Sequence, residues 1–452
     1  MLLVKTFKQK GNQAMPPAVE PTMSALIAIV TKLPIGTNLA MLHFLWMLVS
    51  GSLLAQRGGL FPALQSIGLG PKAVRRAWGA FRGGMWQISE LMVAWEKYME
   101  AQQWQARRYE GYFALAIDIT PFWRPKLQGL RSKYHRSEAE KALPAIIIGL
   151  VARIGEVAGR RMALLRSMVR VHPKEPSEAR LKKELLKEAR RIMHTLEILL
   201  ADAGFALKSC HEAKIEQFML RLPKNFTARG NYLAYAPGKK GKKPSLGPRI
   251  RPLPRKYKQK EIPATPAQAT YSWCLPSGET ITAAVWYDLV RPDVAPSPTA
   301  DLFDVWAISD PRYDTPLLVA TNVKLLPQTV HALYTDRWPI EQLPLAGKQM
   351  VGAHRQFVFA AEACQRLPEL ALLAGSILTG LAALHPTMPS GFWDRKPQPT
   401  PGRFRRALAG LPFPQSFPLP ERLRQKASVT DHLPMGILGH RRSKQAQEVI
   451  LT

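Results

Sequence analysis

Between residues 109 and 225 the chain passes through three runs of β-forming residues, an amphipathic helix and two further short runs, and that order admits few architectures. YFALAIDIT is rich in β-formers and reaches Asp118 just before Thr120 and Pro121, so it reads as a buried strand that ends by delivering a carboxylate. ALPAIIIGLVARI and RRMALLRSMVRV, separated by a glycine-containing turn, predict two antiparallel strands. In PSEARLKKELLKEARRIMHTL, Ser177 stands where a cap belongs and Glu178 occupies the first turn, while Leu181, Leu185, Ile192 and Leu196 recur along one side. EILLADAGFA then predicts a strand ending at Asp202, and FMLRLPKN another. The expected fold is α/β, a mixed sheet flanked by helices with carboxylates at two strand ends, where such sheets place chemistry. A lone strand-end aspartate is equally a turn former, so neither residue carries the argument singly.

A third carboxylate lies far downstream in HALYTDRWPIEQLPLAGK, residues 331–348. Tyr334, Arg337, Glu341 and Lys348 are spaced there by three, four and seven, which on a helix returns each side chain to nearly the same face. A carboxylate can hold a divalent metal, Arg and Lys can hold phosphate, and a phenol can stack or donate; together they suit a metal-bound phosphodiester. Taken alone, the pattern is also that of a solvated helix face with an Arg–Glu pair four apart. Pro339 forbids one unbroken helix. The expectation is a helix from 328 to about 337, a kink, and a second helix with Pro339 in its first turn and Glu341 near its start. Pro344 disturbs that second helix and the facing of Glu341 and Lys348.

Tyr-x2-Arg-x3-Glu-x6-Lys stands here without a gap, and it resembles the signature of a branch of bacterial insertion-sequence transposases of the DDE type. Asp202, followed by Ala203, Gly204 and Phe205, resembles the second catalytic position of that family, so the resemblance spans residues 109–360. It implies a ribonuclease-H-like catalytic core at 108–225 and 320–385, interrupted by a β-rich insertion domain at 226–319. It further implies that Asp118, Asp202 and Glu341 are catalytic and hold two Mg2+ ions, or Mn2+, for in-line phosphoryl transfer. Such an enzyme is an endonuclease that cuts transposon ends and a polynucleotidyl transferase that joins them to target DNA. Tyr334, Arg337 and Lys348 would hold phosphates, and the partners would be double-stranded DNA and a second copy of the chain on paired ends.

Charge agrees with a polyanionic partner. The 452 residues carry 63 Lys and Arg against 33 Asp and Glu, a net +30, which self-repulsion disfavours unless DNA or RNA offsets it. An anionic membrane surface is the competing partner. The length exceeds what one core supports and predicts two or three domains. Cys210, Cys274 and Cys364 match no zinc spacing and cannot all pair, which suits a reducing cytoplasm; the resemblance implies a bacterial one and a place beside the nucleoid.

Residues 1–20 read as a basic leader without the apolar run of a signal peptide, and 21–107 as a helical DNA-binding domain. Within it, residues 33–56 hold no charge and are long enough to span a bilayer, but Pro34, Asn38, His43, Ser50 and Ser52 interrupt them. A buried helix and no membrane is the expectation. After a turn at Gly68 and Gly70, Pro71 opens a helix whose Lys72, Arg75 and Arg76 resemble the second helix of a helix-turn-helix and would face DNA.

The insertion carries a loop at 239–260 with ten Lys or Arg and no acid; Lys239, Lys240, Lys242, Lys243, Arg249 and Arg251 would clamp phosphates, or else form a solvated tail. Trp273 and Trp286 lie in a predicted hairpin and are candidates for stacking a flipped base, although burial is the ordinary fate of such tryptophans. His354 and Arg355 extend the basic character toward DNA, PELALLAGSILTGLAAL predicts an apolar helix closing the core, and 386–452 is a Pro/Arg-rich arm too proline-dense for a compact core. Two other readings are a domesticated relative that binds DNA without cutting it and a basic inner-membrane protein anchored by 33–56.

Overall fold

The computed structural model describes residues 16–233, 245–387, 389 and 391–425. The chain forms two compact units, one made of Met1–Gln102 with Leu345–Thr452 and the other of Gln103–Pro344. The first begins with five helices: α1 (Val19–Val30), α2 (Thr37–Val49), α3 (Leu60–Ser66), α4 (Pro71–Gly83) and α5 (Ile88–Ala101). α2 is apolar all round and buried almost throughout, because α1 and α4 pack on it. The uncharged run at 33–56 is thus a thirteen-residue helix stopped at Gly51, whose φ of 75° is costly for any residue with a Cβ, followed by a single turn at Ser52–Ala55. In α4, Pro71 fills the first helical position, Val74, Ala77, Ala80 and Phe81 turn inward, and Lys72, Arg75 and Arg76 are exposed.

The second unit is built on one large mixed sheet. Its first long strands are β1 (Tyr112–Trp123), β2 (Lys141–Val157) and β3 (Arg160–Arg170), an antiparallel meander. α6 (Glu178–Ile192) follows, capped by Ser177, whose side chain accepts from the Arg180 amide at 3.2 Å. β4 (Glu197–Ala201) and β5 (Phe218–Arg221) then add parallel to β1, giving the order β3-β2-β1-β4-β5. Leu181, Leu185, Leu186 and Ala189 of α6 are buried as the helix packs on the sheet; the helix ends at Ile192, which leaves Leu196 outside it and 51% exposed rather than on its inner side.

The segment expected to form a separate insertion domain instead continues this sheet. β6 (Ala269–Cys274) and β7 (Thr280–Val290) form the expected hairpin, and β8 (Phe303–Ser309) and β9 (Leu317–Thr321) carry it back to β5 by antiparallel pairing. Main-chain pairing decides this: β5 has an open edge after β4, and β9 fills it through Thr321↔Met219 to Val319↔Arg221. Trp286, Phe303 and Val305 share a core with Leu199 and Leu220.

After β9 come α7 (Pro327–Thr335) and α8 (Pro339–Leu345), divided where Pro339 required a break. Pro344 lies inside α8 and cannot donate to the carbonyl of Ile340, and the next residues, Ala346–Met350, widen into a π turn. The chain enters the helical unit at Leu345. There α9 (Ala361–Leu384) packs on α1, α2, α4 and α5, so residues 345–385 complete the helical unit and not the catalytic core to which they were expected to belong. This is the one helix among the described residues long and apolar enough to cross a membrane, and 89% of its apolar window is buried inside the protein. The proline-rich arm, expected to be extended, packs on the same unit as far as residue 425. In α10 (Pro401–Leu408), Phe404 and Leu408 are buried, and Phe413 meets His43 edge-on at 4.5 Å. Apolar anchors spaced between the prolines supply the burial that proline density alone does not predict.

Candidate active site

Three elements of the sheet unit bring charged groups together. β1 does not stop at Asp118; it runs on to Trp123, because β2 pairs with it from Leu115 to Trp123. On the other side β4 pairs parallel to β1 only as far as Ala116↔Leu200. Asp118 lies two residues beyond Ala116 and Asp202 two beyond Leu200, so the two aspartates occupy equivalent positions where β4 ends and the edge of β1 opens. The Gly204 amide donates to Asp202 Oδ1 at 3.0 Å, fixing that carboxylate in its turn.

α7 and α8 supply the rest. Arg337 is 6% exposed and donates through Nη2 to Glu341 Oε1, while its Nε and Nη1 are buried with no partner. Tyr334 is 8% exposed with a buried, unpartnered hydroxyl, and the Arg337 guanidinium lies 5.7 Å from its ring centre. Burial pushes the Asp118 carboxyl up to about 6; the Ile119 amide and Arg337 pull it back, while Asp202 and Glu341 push it further. Asp118, Asp202, Glu341 and Arg337 therefore feel one another's charge. Burial likewise raises the Tyr334 phenol against the opposing pull of Arg337 and Arg221.

Among the described residues no three His, Cys, Asp or Glu side chains are placed to hold a metal ion together, and Glu341 accepts from Arg337. The donor set is nonetheless that of a hard divalent cation. It consists of carboxylate oxygens alone, and the carboxyl of Asp118 has its ionisation opposed by two like charges that a cation would offset.

Other candidates fall elsewhere. Lys348 sits in the π turn of the helical unit, so the seven-residue facing with Glu341 does not hold: a wider turn and an inserted proline replace the regular period. His354 and Arg355 are exposed in that same unit, with His354 Nδ1 2.7 Å from the Lys348 carbonyl. Arg249 is exposed and Arg251 half-buried near the far end of the sheet; Lys239, Lys240, Lys242 and Lys243 lie outside the described residues. Trp286 is 3% exposed and its indole donates to the Pro266 carbonyl at 2.9 Å, which removes it as a stacking platform. Trp273 is half-buried on the edge strand β6, 6.0 Å from His331.

Sequence reasoning missed several neighbours. Tyr134 lies near both aspartates and Glu178, for Glu178, Asp202 and Asp118 add to the burial that pushes its phenol up to about 12. Trp338, beside Arg337, is 60% exposed, which the break before Pro339 could have signalled. Asp336 had no signal at all, because its partners are distant in the chain.

Residues 160–350 match the family model of the transposase DDE domain. The match takes in Asp202, Tyr334, Arg337, Glu341 and Lys348 and begins beyond Asp118. No curated protein matches the chain.

Proposed function

We propose that this chain, with its transposase DDE domain, cuts the ends of a DNA element and joins them to target DNA by in-line phosphoryl transfer, with Asp118, Asp202 and Glu341 as the acidic triad. The observation that carries the reading is that Asp118 of β1 feels the charges of Asp202, past the end of β4, and of Glu341 in α8, beside a buried Arg337 with two unspent N–H groups. Divalent cations such as Mg2+ supply, when bound by these carboxylates, the charge that activates water or a 3′-hydroxyl and stabilises the leaving oxygen.

The protein's own groups do the remaining work. Arg337 exchanges its bond to Glu341 for a scissile-strand phosphate, which satisfies its two orphaned donors and frees the Glu341 carboxylate. Tyr334 donates its unpaired hydroxyl to the same phosphate group. Asp202 is held by the Gly204 amide, so little motion is needed at the sheet edge. The exposed cations of α4, with Arg249, His354 and Arg355, add phosphate contacts that hold DNA without reading its sequence.

The test is strand cleavage of a DNA fragment bearing the element's own flanking ends, with Mg2+ or Mn2+, by the native protein and Glu341→Gln. Metal-dependent nicking that Glu341→Gln abolishes supports the reading. Tight DNA binding with no nicking by the native protein would instead mark a binding protein on a transposase scaffold.

A further inference from the structure

Asp336 stands between Tyr334 and Arg337, at the end of α7, and is 3% exposed. A buried carboxylate is costly unless several donors satisfy it. Asp336 has three, all distant in the chain: Tyr109 donates its hydroxyl to Oδ2 at 2.7 Å, Arg107 Nη1 lies 3.2 Å from the same oxygen, and Arg161 Nη1 donates to Oδ1. Tyr109 lies in the two-residue strand Arg108–Tyr109 that pairs with β1, Arg107 stands just before it, and Arg161 belongs to β3. The side chains on either side are tied only locally: the Arg337 guanidinium bonds Glu341, four residues on, and lies against the Tyr334 ring, and neither side chain reaches a distant strand through a hydrogen bond. Asp336 is thus the polar link between the helix end carrying Arg337 and the strand carrying Asp118.

We propose that Asp336 is a positioning residue for the triad, its clamp on Tyr109, Arg107 and Arg161 setting where Arg337 and Glu341 stand relative to Asp118. The three donors fix a short α7–α8 junction that Pro339 has deprived of continuous helix hydrogen bonding. The consequence for catalysis rests on the transposase reading; the clamp itself does not.

The experiment compares native protein with Asp336→Asn, Tyr109→Phe and Arg161→Lys in three measurements: single-turnover cleavage of end DNA, affinity for that DNA, and amide hydrogen exchange across the chain. Loosened geometry at the reacting groups predicts a cleavage rate lowered about 10- to 100-fold in Asp336→Asn and less in Tyr109→Phe. Arg161→Lys keeps a cation within reach and should recover most of the rate. DNA affinity should stay within about threefold. Exchange should quicken over residues 334–345 and not in β2 or β4. Unchanged exchange and rate in Asp336→Asn would overturn the proposal, as would faster exchange throughout the sheet, which is what a merely structural residue gives. If the native protein cuts no DNA, the transposase reading fails while the exchange pattern still decides the clamp.

Discussion

Asp118 and Asp202 stand at matching positions on adjacent parallel strands, each two residues past the last paired rung, Ala116↔Leu200. Eighty-odd residues of meander and helix separate them in sequence, and the parallel register of β1 and β4 closes that distance. Two carboxylates held side by side at a sheet edge repel, and the raised proton affinity of Asp118 records it in part.

Asp118→Asn should abolish cleavage, by about 10³-fold or more, because it removes a ligand and a charge that act only on the reacting phosphate. DNA affinity should hold or rise, since a like charge near phosphate is gone. Gel-shift and single-turnover nicking on the same preparation separate the two effects.

The same residue sets a pH signature. Its folded carboxyl titrates at about 6 against 3.8 in the unfolded chain, so between those values the native state keeps a proton that the unfolded state releases. Without added metal, stability should therefore fall as pH rises from about 4 to about 6 and level off above, and Asp118→Asn should be the more stable protein at pH 7 by about 3 kcal/mol. Cleavage, which needs the ionised form, should decline as pH drops through about 6. Denaturant unfolding at several pH values, with and without Mn2+, reads the effect; the ion should raise native stability and leave Asp118→Asn nearly unmoved.

Gly347 and Gly375 seat the π turn that carries Lys348. A Cβ on Gly347 would come within 2.9 Å of the Ala371 carbonyl oxygen, and one on Gly375 within 2.7 Å of the Gly347 nitrogen. Backbone stands on both sides, so neither alanine can be accommodated without moving the turn. Gly375→Ala should cost about 1–3 kcal/mol of stability, which thermal melting reads.

Trp338 and Trp286 should behave oppositely. Trp338, 60% exposed beside Arg337, can offer a face to an unpaired base, and Trp338→Ala should weaken end-DNA binding by about 1–3 kcal/mol with stability kept. Trp286→Ala should cost about 3–5 kcal/mol of stability, because its ring is buried and its N–H is spent. Fluorescence quenching by single-stranded DNA that disappears only in Trp338→Ala would complete the distinction.

Replacing Lys72, Arg75 and Arg76 by Gln should lower the slope of log affinity against log salt by up to about 3, one released counterion per lost phosphate contact, with no change in Mg2+ requirement. Binding titrations at four salt concentrations measure it.

Local chemistry determined what the sequence could show. Runs of β-forming residues marked β1 through β5, a capping serine with spaced leucines marked α6, and Pro339 divided α7 from α8, because each pattern reports on neighbours within a few residues. The spacing of Arg337 and Glu341 was legible for the same reason, since four residues of tight turn and helix start keep the two in contact. Everything fixed by residues far apart in the chain was decided only by tertiary structure. The β1–β4 register pairs Asp118 with Asp202, and the open edge of β5 draws the expected insertion into the main sheet. Burial separates Trp286 from Trp338, and the packing of α9 takes residues 345–385 into the helical unit. Asp336 makes the point most plainly: an aspartate flanked by polar residues signals nothing locally, and its role appears only when Tyr109, Arg107 and Arg161 converge on it and satisfy a charge that burial would otherwise forbid.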